Sequence, residues 1–301
     1  MKKNYPRDMI GYGSKTPIIK WPNGAKIALQ IVLNYEEGAE NCVLHGDKMS
    51  EVFLSEIIGA QPIKGRHVNM ESFYEYGSKR GFWRLHEIFQ KNKIPITVFG
   101  VGMALERNKD VCDAIKESDY EVASHGWRWI DYQTIPKATE KKHMRLAIQS
   151  IKKIFGKRPL GWYTGRCSPN TRDLVMEEGG FLYDSDSYSD DLPYWENIKG
   201  KNHLIIPYTL DNNDMRFSTN QGFNSGDQFF TYLKDSFDTL YDEGNDYPKM
   251  MSIGLHCRLI GRPGRIKSLI NFLDYAMKHE KVWICKRIDI AKHWIKNYAI
   301  D

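Results

Sequence analysis

The stretch AKIALQIVLNYEEG, residues 25–38, decides the fold class of this chain. Its apolar run from Ile27 to Leu33 is rich in β-branched residues and predicts a buried strand. The strand ends in two adjacent carboxylates, Glu36 and Glu37, which are followed by Gly38. A buried strand that ends in a pair of like charges needs an explanation, and the rest of the chain supplies one.

Short strand-like runs alternate with helical periodicity along the remainder of the sequence. Six further strands are predicted at residues 94–100, 120–125, 159–163, 181–186, 203–207 and 251–256. Helices are predicted at residues 80–93, 106–118, 137–155, 170–178, 226–243, 262–279 and 287–297. About seven strands alternating with helices predict an α/β protein with a largely parallel sheet, either a nearly closed barrel or an open doubly wound sheet.

Length and composition favour one globular domain. The 301 residues are 41% hydrophobic and 27% charged, which is ordinary for a globular protein. No repeat, low-complexity tract or linker interrupts the pattern. Residues 1–24, rich in Pro, Gly and Tyr, are predicted to form an N-terminal extension, and residues 25–301 the main domain.

The sequence also argues against several partners and compartments. The net charge of +5 comes from 43 basic and 38 acidic residues without a basic stripe, so no nucleic-acid partner is expected. No apolar run approaches the roughly 18 residues that a membrane span needs, so no membrane partner is expected either. Five widely spaced cysteines without a CxxC and an N-terminus without an apolar signal core predict free thiols and a cytoplasmic location.

Charged and imidazole side chains recur where the predicted strands end. Active sites of parallel α/β folds form at the C-terminal ends of the strands. The residues found there are Glu36, Glu37, His125, Arg166, Asp184, Asp186, Asp190, Asp191, Trp195, Asn213, Asp214, Arg216, His256 and Arg258. Each alone has a structural alternative, such as a helix cap, a turn former or a weak surface ion pair. Their recurrence at the same end of five strands predicts an active site.

The two adjacent glutamates fit such a site. Neighbouring side chains on a regular strand point to opposite faces, so both reach one pocket only where the strand gives way at Gly38. Two close carboxylates raise each other's proton affinity, which moves the pKa of one toward neutral, where it can act as a base. The other is then free to hold a metal, a histidine or a substrate amide.

Motif by motif, the chain resembles the polysaccharide deacetylase (NodB-like) superfamily. "NYEEG" stands where that family has T-F-D-D-G, whose acids are a general base and a metal ligand, so the resemblance places Glu36 and Glu37 in those roles. "HGWRW" matches H-[ST]-x-x-H with His125 kept and Trp129 in place of the second metal-binding histidine. Weaker matches are "TGRCSPNT" with Arg166, the Asp/Trp segment "DSDSYSDDLPYW", and Leu255–His256, where the family has its general acid.

Longer peptides are similar to one branch, the PuuE-type bacterial allantoinases. They include YPRDMIGYG, SHGWRWIDYQ, RPLGWYTGR, IPYTLDNNDMRF, GLHCRLIGRPGR and KRIDIAKHW, and the similarity extends from Tyr5 to Trp294. This resemblance implies a single-domain distorted (β/α) barrel of about seven strands, the NodB homology fold, assembled as a homotetramer. It also implies hydrolysis of a small ureide, allantoin, to allantoate in purine breakdown, without a metal.

The chemistry of the second motif agrees with a metal-free site. A catalytic zinc ion needs three protein ligands and an open position for water. The indole N–H of Trp129 has no lone pair to offer, so Glu37 and His125 are the ligands that remain from the family's set. We therefore expect no cofactor, with a weak zinc site on Glu37 and His125 as the alternative.

The resulting hypothesis gives each residue a role in opening the ring of allantoin. Glu36, with its pKa lifted by Glu37 and by burial, takes a proton from water, and His256 protonates the departing ring nitrogen. His125 orients Glu37 or the water, Arg166 or backbone N–H groups stabilise the oxyanion, and Trp129 forms a flat wall. The substrate-binding residues predicted are Trp129, Arg166, Asp191, Trp195 and Asn213.

Two other functions remain open on the sequence. An N-deacetylase acting on polysaccharide or peptidoglycan amino sugars would attack the same kind of carbonyl. A binding protein without catalysis would explain the missing metal ligand, but it needs no base and acid facing each other, so Glu36 and His256 argue against it. Residues 45–67 are predicted to form a loop and helix that cover the mouth of the pocket.

Overall fold

The computed structural model describes residues 5–57 and 59–300, and within these residues nine strands form one sheet. The strands are β1 (Ile27–Tyr35), β2 (Ile96–Gly100), β3 (Glu121–Ser124), β4 (Gly161–Trp162), β5 (Tyr183–Asp184), β6 (Tyr194–Ile198), β7 (Lys201–Ile205), β8 (Lys249–His256) and β9 (Val282–Ile284). The order is β6-β7-β5-β4-β3-β2-β1-β8, with β9 paired to β1. All pairs are parallel except the β6–β7 hairpin.

Strand β1 lies at the centre of the fold because all nine of its residues are buried. It pairs with β2 on one side and with β8 on the other, in a register that sets Asn34 opposite His256. The sheet curls into a half-barrel. Residues 206–213 connect its two sides, since Ile206 N–H donates to Asp184 O while Gly254 N–H in β8 donates to Asn212 O. The predicted α/β barrel of the NodB type is confirmed.

Helices cover the sheet and bury their apolar faces against it. In the described part of the chain they are α1 (Val68–Tyr76), α2 (Phe82–Lys91), α3 (Gly102–Glu106), α4 (Lys109–Glu117), α5 (Lys137–Phe155), α6 (Thr171–Glu178), α7 (Gly226–Glu243), α8 (Pro263–Ala276) and α9 (Arg287–Asn297). A π-helical turn, Gly77–Gly81, joins α1 to α2. The main core lies between β1, β2, β8 and the helices α2, α4, α7 and α8.

The predicted elements are found with small shifts of their ends. Four elements were not predicted, namely α1, α3, β6 and β9. Strand β6 pairs in a hairpin and is half-exposed, and β9 has three half-buried residues, so neither shows a buried apolar run. Helix α3 is five residues long, too short for a periodic signal. Residues 45–57 and 59–67 contain no α-helix, which corrects that part of the prediction, and α1 begins just after them.

The residues before β1 pack against the barrel. Ile19 and Trp21 are buried, and the Trp21 indole N–H donates to Lys249 O at 2.9 Å. The boundary at residue 24 stays a prediction. No helix within residues 5–57 and 59–300 is both long and apolar enough to cross a lipid bilayer.

Candidate active site

A narrow cleft of about 70 Å³ opens at the C-terminal ends of β1, β3 and β8. The parallel strands bring these ends together at one edge of the sheet, as expected for this fold class. The lining residues are Asn34, Glu36, Phe53, Leu54, His125, Trp129, Tyr163, Gly165, Arg166, Tyr188, Tyr208, Leu210, Asn213, Met215 and His256. Polar groups therefore converge within an otherwise aromatic and apolar enclosure.

Glu36 is the polar centre of the cleft. It is the first residue after β1, and 1% of its surface is exposed. Its Oε1 lies 3.2 Å from His125 Nε2 and 3.5 Å from His256 Nε2. Its Oε2 lies 2.8 Å from Nη2 of Arg258. Three cationic or hydrogen-bonding groups thus surround one carboxylate.

This environment keeps Glu36 ionised. Burial opposes the charge, but Arg258, His256 and the hydrogen bonds from both histidines outweigh it and hold the pKa of Glu36 well below its usual range. The sequence-based expectation of a pKa lifted by Glu37 is wrong. The expectation considered only the neighbouring carboxylate of Glu37, because the sequence does not show that Arg258 and His256 lie beside Glu36.

His256 is held in one tautomer by Asp214. The ring Nδ1 donates to Asp214 Oδ1 at 2.6 Å, while Asp214 Oδ2 accepts the backbone N–H groups of His256 and Ile260. Burial lowers the pKa of His256, but Glu36 and Asp214 raise it more strongly, to about 9. The imidazole therefore carries both protons at neutral pH, as a general acid must.

His125 is oriented from behind by a backbone carbonyl. It follows β3 directly, and its Nδ1 lies 3.2 Å from Tyr163 O. The ring is therefore fixed between two acceptors, Tyr163 O beside Nδ1 and Glu36 Oε1 beside Nε2. His125 was predicted to orient Glu37 or the water, and the structure places it beside Glu36 instead.

Glu37 lies beneath the cleft and does not line it. Its Oε2 accepts the backbone N–H of Glu36 at 2.9 Å, and its Oε1 is 3.7 Å from Arg258 Nη1. A Cβ added to Gly77 would come within 2.3 Å of Oε1, so the glycine permits this packing. Burial and, less strongly, Glu36 raise the pKa of Glu37 to about 7 against the opposing charge of Arg258. The expectation that both glutamates reach one pocket is corrected.

Arg258 is the main site residue to which the sequence analysis gave no role, because a weak surface ion pair explained it equally well. Its side chain is buried and pairs with both glutamates. Its Nε donates to Leu54 O at 3.2 Å, which ties it to the loop over the cleft. The available signal was its position two residues after His256 at a strand end.

Trp129 and Arg166 form one wall of the cleft, as predicted. Trp129 is buried and stacks on Phe53 with ring centroids 5.8 Å apart. The guanidinium carbon of Arg166 lies 4.9 Å from the Trp129 ring and 5.2 Å from the Phe53 ring. Its Nη1 also pairs with Glu51 at 3.2 Å. Phe53 and Leu54 show that the loop predicted at residues 45–67 does line the pocket.

The three remaining predicted contacts have different outcomes. Asn213 lines the cleft, although its amide also donates to Thr209 O and accepts from Met215 N–H. Asp191 and Trp195 do not line it, which corrects their assignment. Asp191 O accepts from Met250 N–H near the start of β8, so Asp191 lies toward the other end of the sheet. Trp195 lies in the edge strand β6, and its indole donates to Tyr298 O outside the cleft.

The donor set does not fit a zinc ion. Within the described residues, no group of three His, Cys, Asp or Glu side chains is arranged to hold a metal. The buried guanidinium of Arg258 contacts both carboxylates, and His125 contacts Glu36 rather than Glu37. The alternative zinc site on Glu37 and His125 therefore lacks both the pairing and the third ligand that it would need.

Comparisons with known proteins agree with the fold and with the motifs. The profile of the polysaccharide deacetylase family matches residues 70–177. A Schizosaccharomyces pombe protein that carries a polysaccharide deacetylase name is 43% identical over 96% of both chains. Two crystal structures each share 59% identity and a TM-score of 0.97 over 99% of this chain and all of theirs. One is from Pseudomonas aeruginosa PAO1 and carries a polysaccharide deacetylase name, and the other is named as a Puue allantoinase. This chain belongs to the polysaccharide deacetylase family.

Proposed function

We propose that the protein is an allantoinase, a hydrolase that opens the hydantoin ring of allantoin to give allantoate in purine breakdown. The observation that carries the proposal is the single ionised carboxylate, Glu36, held between two imidazoles and a guanidinium in a small cleft. The 59% identity with a structure named as a Puue allantoinase supports the choice of substrate.

The proposed reaction adds water across one ring amide. Glu36 accepts a proton from water while the water oxygen bonds to the carbonyl carbon next to the ureido-bearing carbon. The carbonyl π electrons move onto oxygen, and their return expels the ring nitrogen as the C–N bond breaks. His256 gives its Nε2 proton to that nitrogen, so the ring opens to one product that carries a carboxylic acid and a second ureido group. General acid–base steps of this kind contribute about 10²–10⁴-fold each.

The negative charge that develops on the carbonyl oxygen needs a hydrogen-bond donor in the cleft. Arg166 lines it and is held by the rings of Phe53 and Trp129, so its guanidinium is positioned before substrate arrives. One donor of this kind contributes about 3–4 kcal/mol of transition-state stabilisation. Trp129 offers a flat face against which a five-membered ring packs, and Asn213 also lines the cleft.

Metal-free catalysis and a homotetramer in the cytoplasm belong to the same proposal. In the part of the chain that the structure describes, no group of side chains is arranged to hold a metal ion, which supports metal-free catalysis. Activity that persists after dialysis against a chelator would test it. Light scattering of the purified protein would test the tetramer.

Amide hydrolysis on amino sugars is the second candidate, because two relatives carry a polysaccharide deacetylase name. The narrowness of the cleft and the 1% exposure of Glu36 favour a small ring over a polymer. The deciding experiment incubates purified protein with allantoin and, separately, with acetylated glucosamine oligomers. Allantoate formation supports the proposal, whereas acetate release with allantoin untouched would replace it by the deacetylase.

A further inference from the structure

Two buried carboxylates share one buried guanidinium beneath the cleft. Nη2 of Arg258 is 2.8 Å from Glu36 Oε2, and Nη1 is 3.7 Å from Glu37 Oε1. All three side chains have 1% or less of their side-chain surface exposed. Adjacent carboxylates buried without a cation would suppress each other's ionisation, so Arg258 supplies the charge that allows Glu36 to stay ionised.

Aromatic rings fix the position of this cation. The guanidinium carbon of Arg258 lies 4.3 Å from the centre of the Tyr74 ring and 5.2 Å from that of Trp129. Attraction between a cation and a ring face is stronger when both are desolvated, as they are here. Trp129, which fills the place of a metal-binding histidine, thus also helps to hold Arg258.

We propose that Arg258 is a positioning residue that acts as a permanent cation for Glu36 and Glu37, and that its guanidinium and Trp129 together exclude a divalent metal ion from the site. An arginine keeps its charge across the whole range of pH in which proteins fold. The carboxylate of Glu36 then needs no metal supply to remain ionised. The catalytic consequence rests on the proposed allantoinase function, whereas the exclusion of metal does not.

The exclusion of metal is tested by restoring the histidine with and without the arginine. Trp129→His alone should take up no zinc, because Arg258 still occupies the space beside the carboxylates. The double variant Trp129→His/Arg258→Leu should bind one zinc ion per chain through Glu36, which His125 already contacts, His125 itself and the new imidazole. Zinc should also raise its Tm, since a ligand that binds only the folded state stabilises it.

Zinc uptake is measured by metal analysis after gel filtration and by the change in Tm on adding zinc sulfate. If the double variant unfolds without metal, it is refolded with zinc present before the same analysis. Equal zinc uptake by the single and double variants would overturn the inference. No uptake by the double variant would overturn it as well.

The effect on Glu36 is tested by the pH dependence of allantoin hydrolysis in metal-free buffer. Arg258→Leu should move the acid limb of kcat/KM to higher pH, with about tenfold less activity below the limb for each pKa unit gained. Arg258→Lys, which keeps a positive charge, should restore part of the wild-type profile. A merely structural role would lower the amount of folded protein without moving this limb.

The matched control is Arg262→Leu. Arg262 also lies over a tyrosine ring, 3.6 Å from the centre of Tyr76, and its Nε is 3.8 Å from Glu56 Oε2. It does not line the cleft, so its replacement should leave the acid limb in place. A folded Arg258→Leu protein with the wild-type limb would overturn the inference. If the wild-type protein leaves allantoin intact, the proposed function fails, and the zinc experiment still decides the role of Arg258.

Discussion

His256 Nε2 lies 3.5 Å from Oε1 of Glu36, so the acid and the base of the proposed reaction face each other directly. The contact joins the end of β8 to the end of β1, which are neighbouring parallel strands. After turnover, Glu36 holds the proton taken from water and His256 lacks the proton given to nitrogen. This distance allows the proton to pass between them and restores both groups for the next cycle.

Replacing Glu36 by Gln should abolish most of the turnover, because an amide accepts no proton from water. We expect kcat to fall by about 10²–10⁴-fold while the far-ultraviolet circular dichroism stays that of the folded protein. The control is Glu140→Gln, which alters a buried glutamate bonded to Ser168 and Thr171 outside the cleft. Wild-type kcat in folded Glu36→Gln protein would remove Glu36 as the base.

The rate should fall at alkaline pH as His256 loses its proton. Because the pKa of His256 is raised to about 9, we expect kcat/KM to decline with an apparent pKa near that value. Asp214→Asn removes one of the charges that raise it, so the alkaline limb should move to lower pH. An unchanged limb in Asp214→Asn would contradict the assignment of His256 as the acid.

Stability should also decline as pH rises through 9. The pKa of His256 is about 9 in the folded protein against a usual 6.5, so its contribution is full below pH 6.5 and is lost above 9. The loss is at most about 3 kcal/mol, at 1.36 kcal/mol per unit. Tm measured from pH 6.5 to 10 should fall more steeply in wild-type protein than in His256→Gln. Parallel slopes would contradict the prediction.

Arg166 should act mainly on kcat. Its guanidinium lies in the cleft against Phe53 and Trp129 and is partly solvent-exposed, so Arg166→Met should cost little stability. Loss of an oxyanion donor predicts a 10²–10³-fold lower kcat, measured by steady-state allantoin hydrolysis. Arg166→Lys should recover part of the rate. A change confined to KM would make Arg166 a binding residue only.

Asp191 and Trp195 should be dispensable for catalysis. Neither residue lines the cleft, since Asp191 bonds to Met250 through its backbone near the start of β8 and the indole of Trp195, in the edge strand β6, donates to Tyr298 O. Asp191→Asn and Trp195→Phe should therefore keep wild-type kcat and KM. Loss of the indole hydrogen bond should lower the stability of Trp195→Phe by about 1 kcal/mol, which chemical denaturation measures. A large kinetic defect in either variant would reopen their original assignment.

Strand-end residues were predictable because parallel strands gather their C-terminal ends at one edge. Glu36, His125 and His256 lie at or directly after strand ends, and the structure places His256 opposite Glu36 as predicted, whereas His125 contacts Glu36 and not Glu37. Asp191 and Trp195 were misplaced because Asp191 lies on a connection that reaches the start of β8 and Trp195 lies in the edge strand β6. The order of residues in the chain does not show which part of the sheet the segment after β5 contacts.

The sequence by itself determined the alternation of strands and helices, the buried course of β1 and the edge at which the polar side chains collect, and the resemblance of its motifs indicated the barrel. Alternation and burial depend on hydrophobic periodicity, which is a local property of the chain. Only the tertiary structure decided that Glu36 faces the cleft, that Glu37 lies beneath it, and that Arg258 contacts both. Ionisation depends on distances between groups that are far apart in the chain, and these distances exist only after the strands and loops have packed.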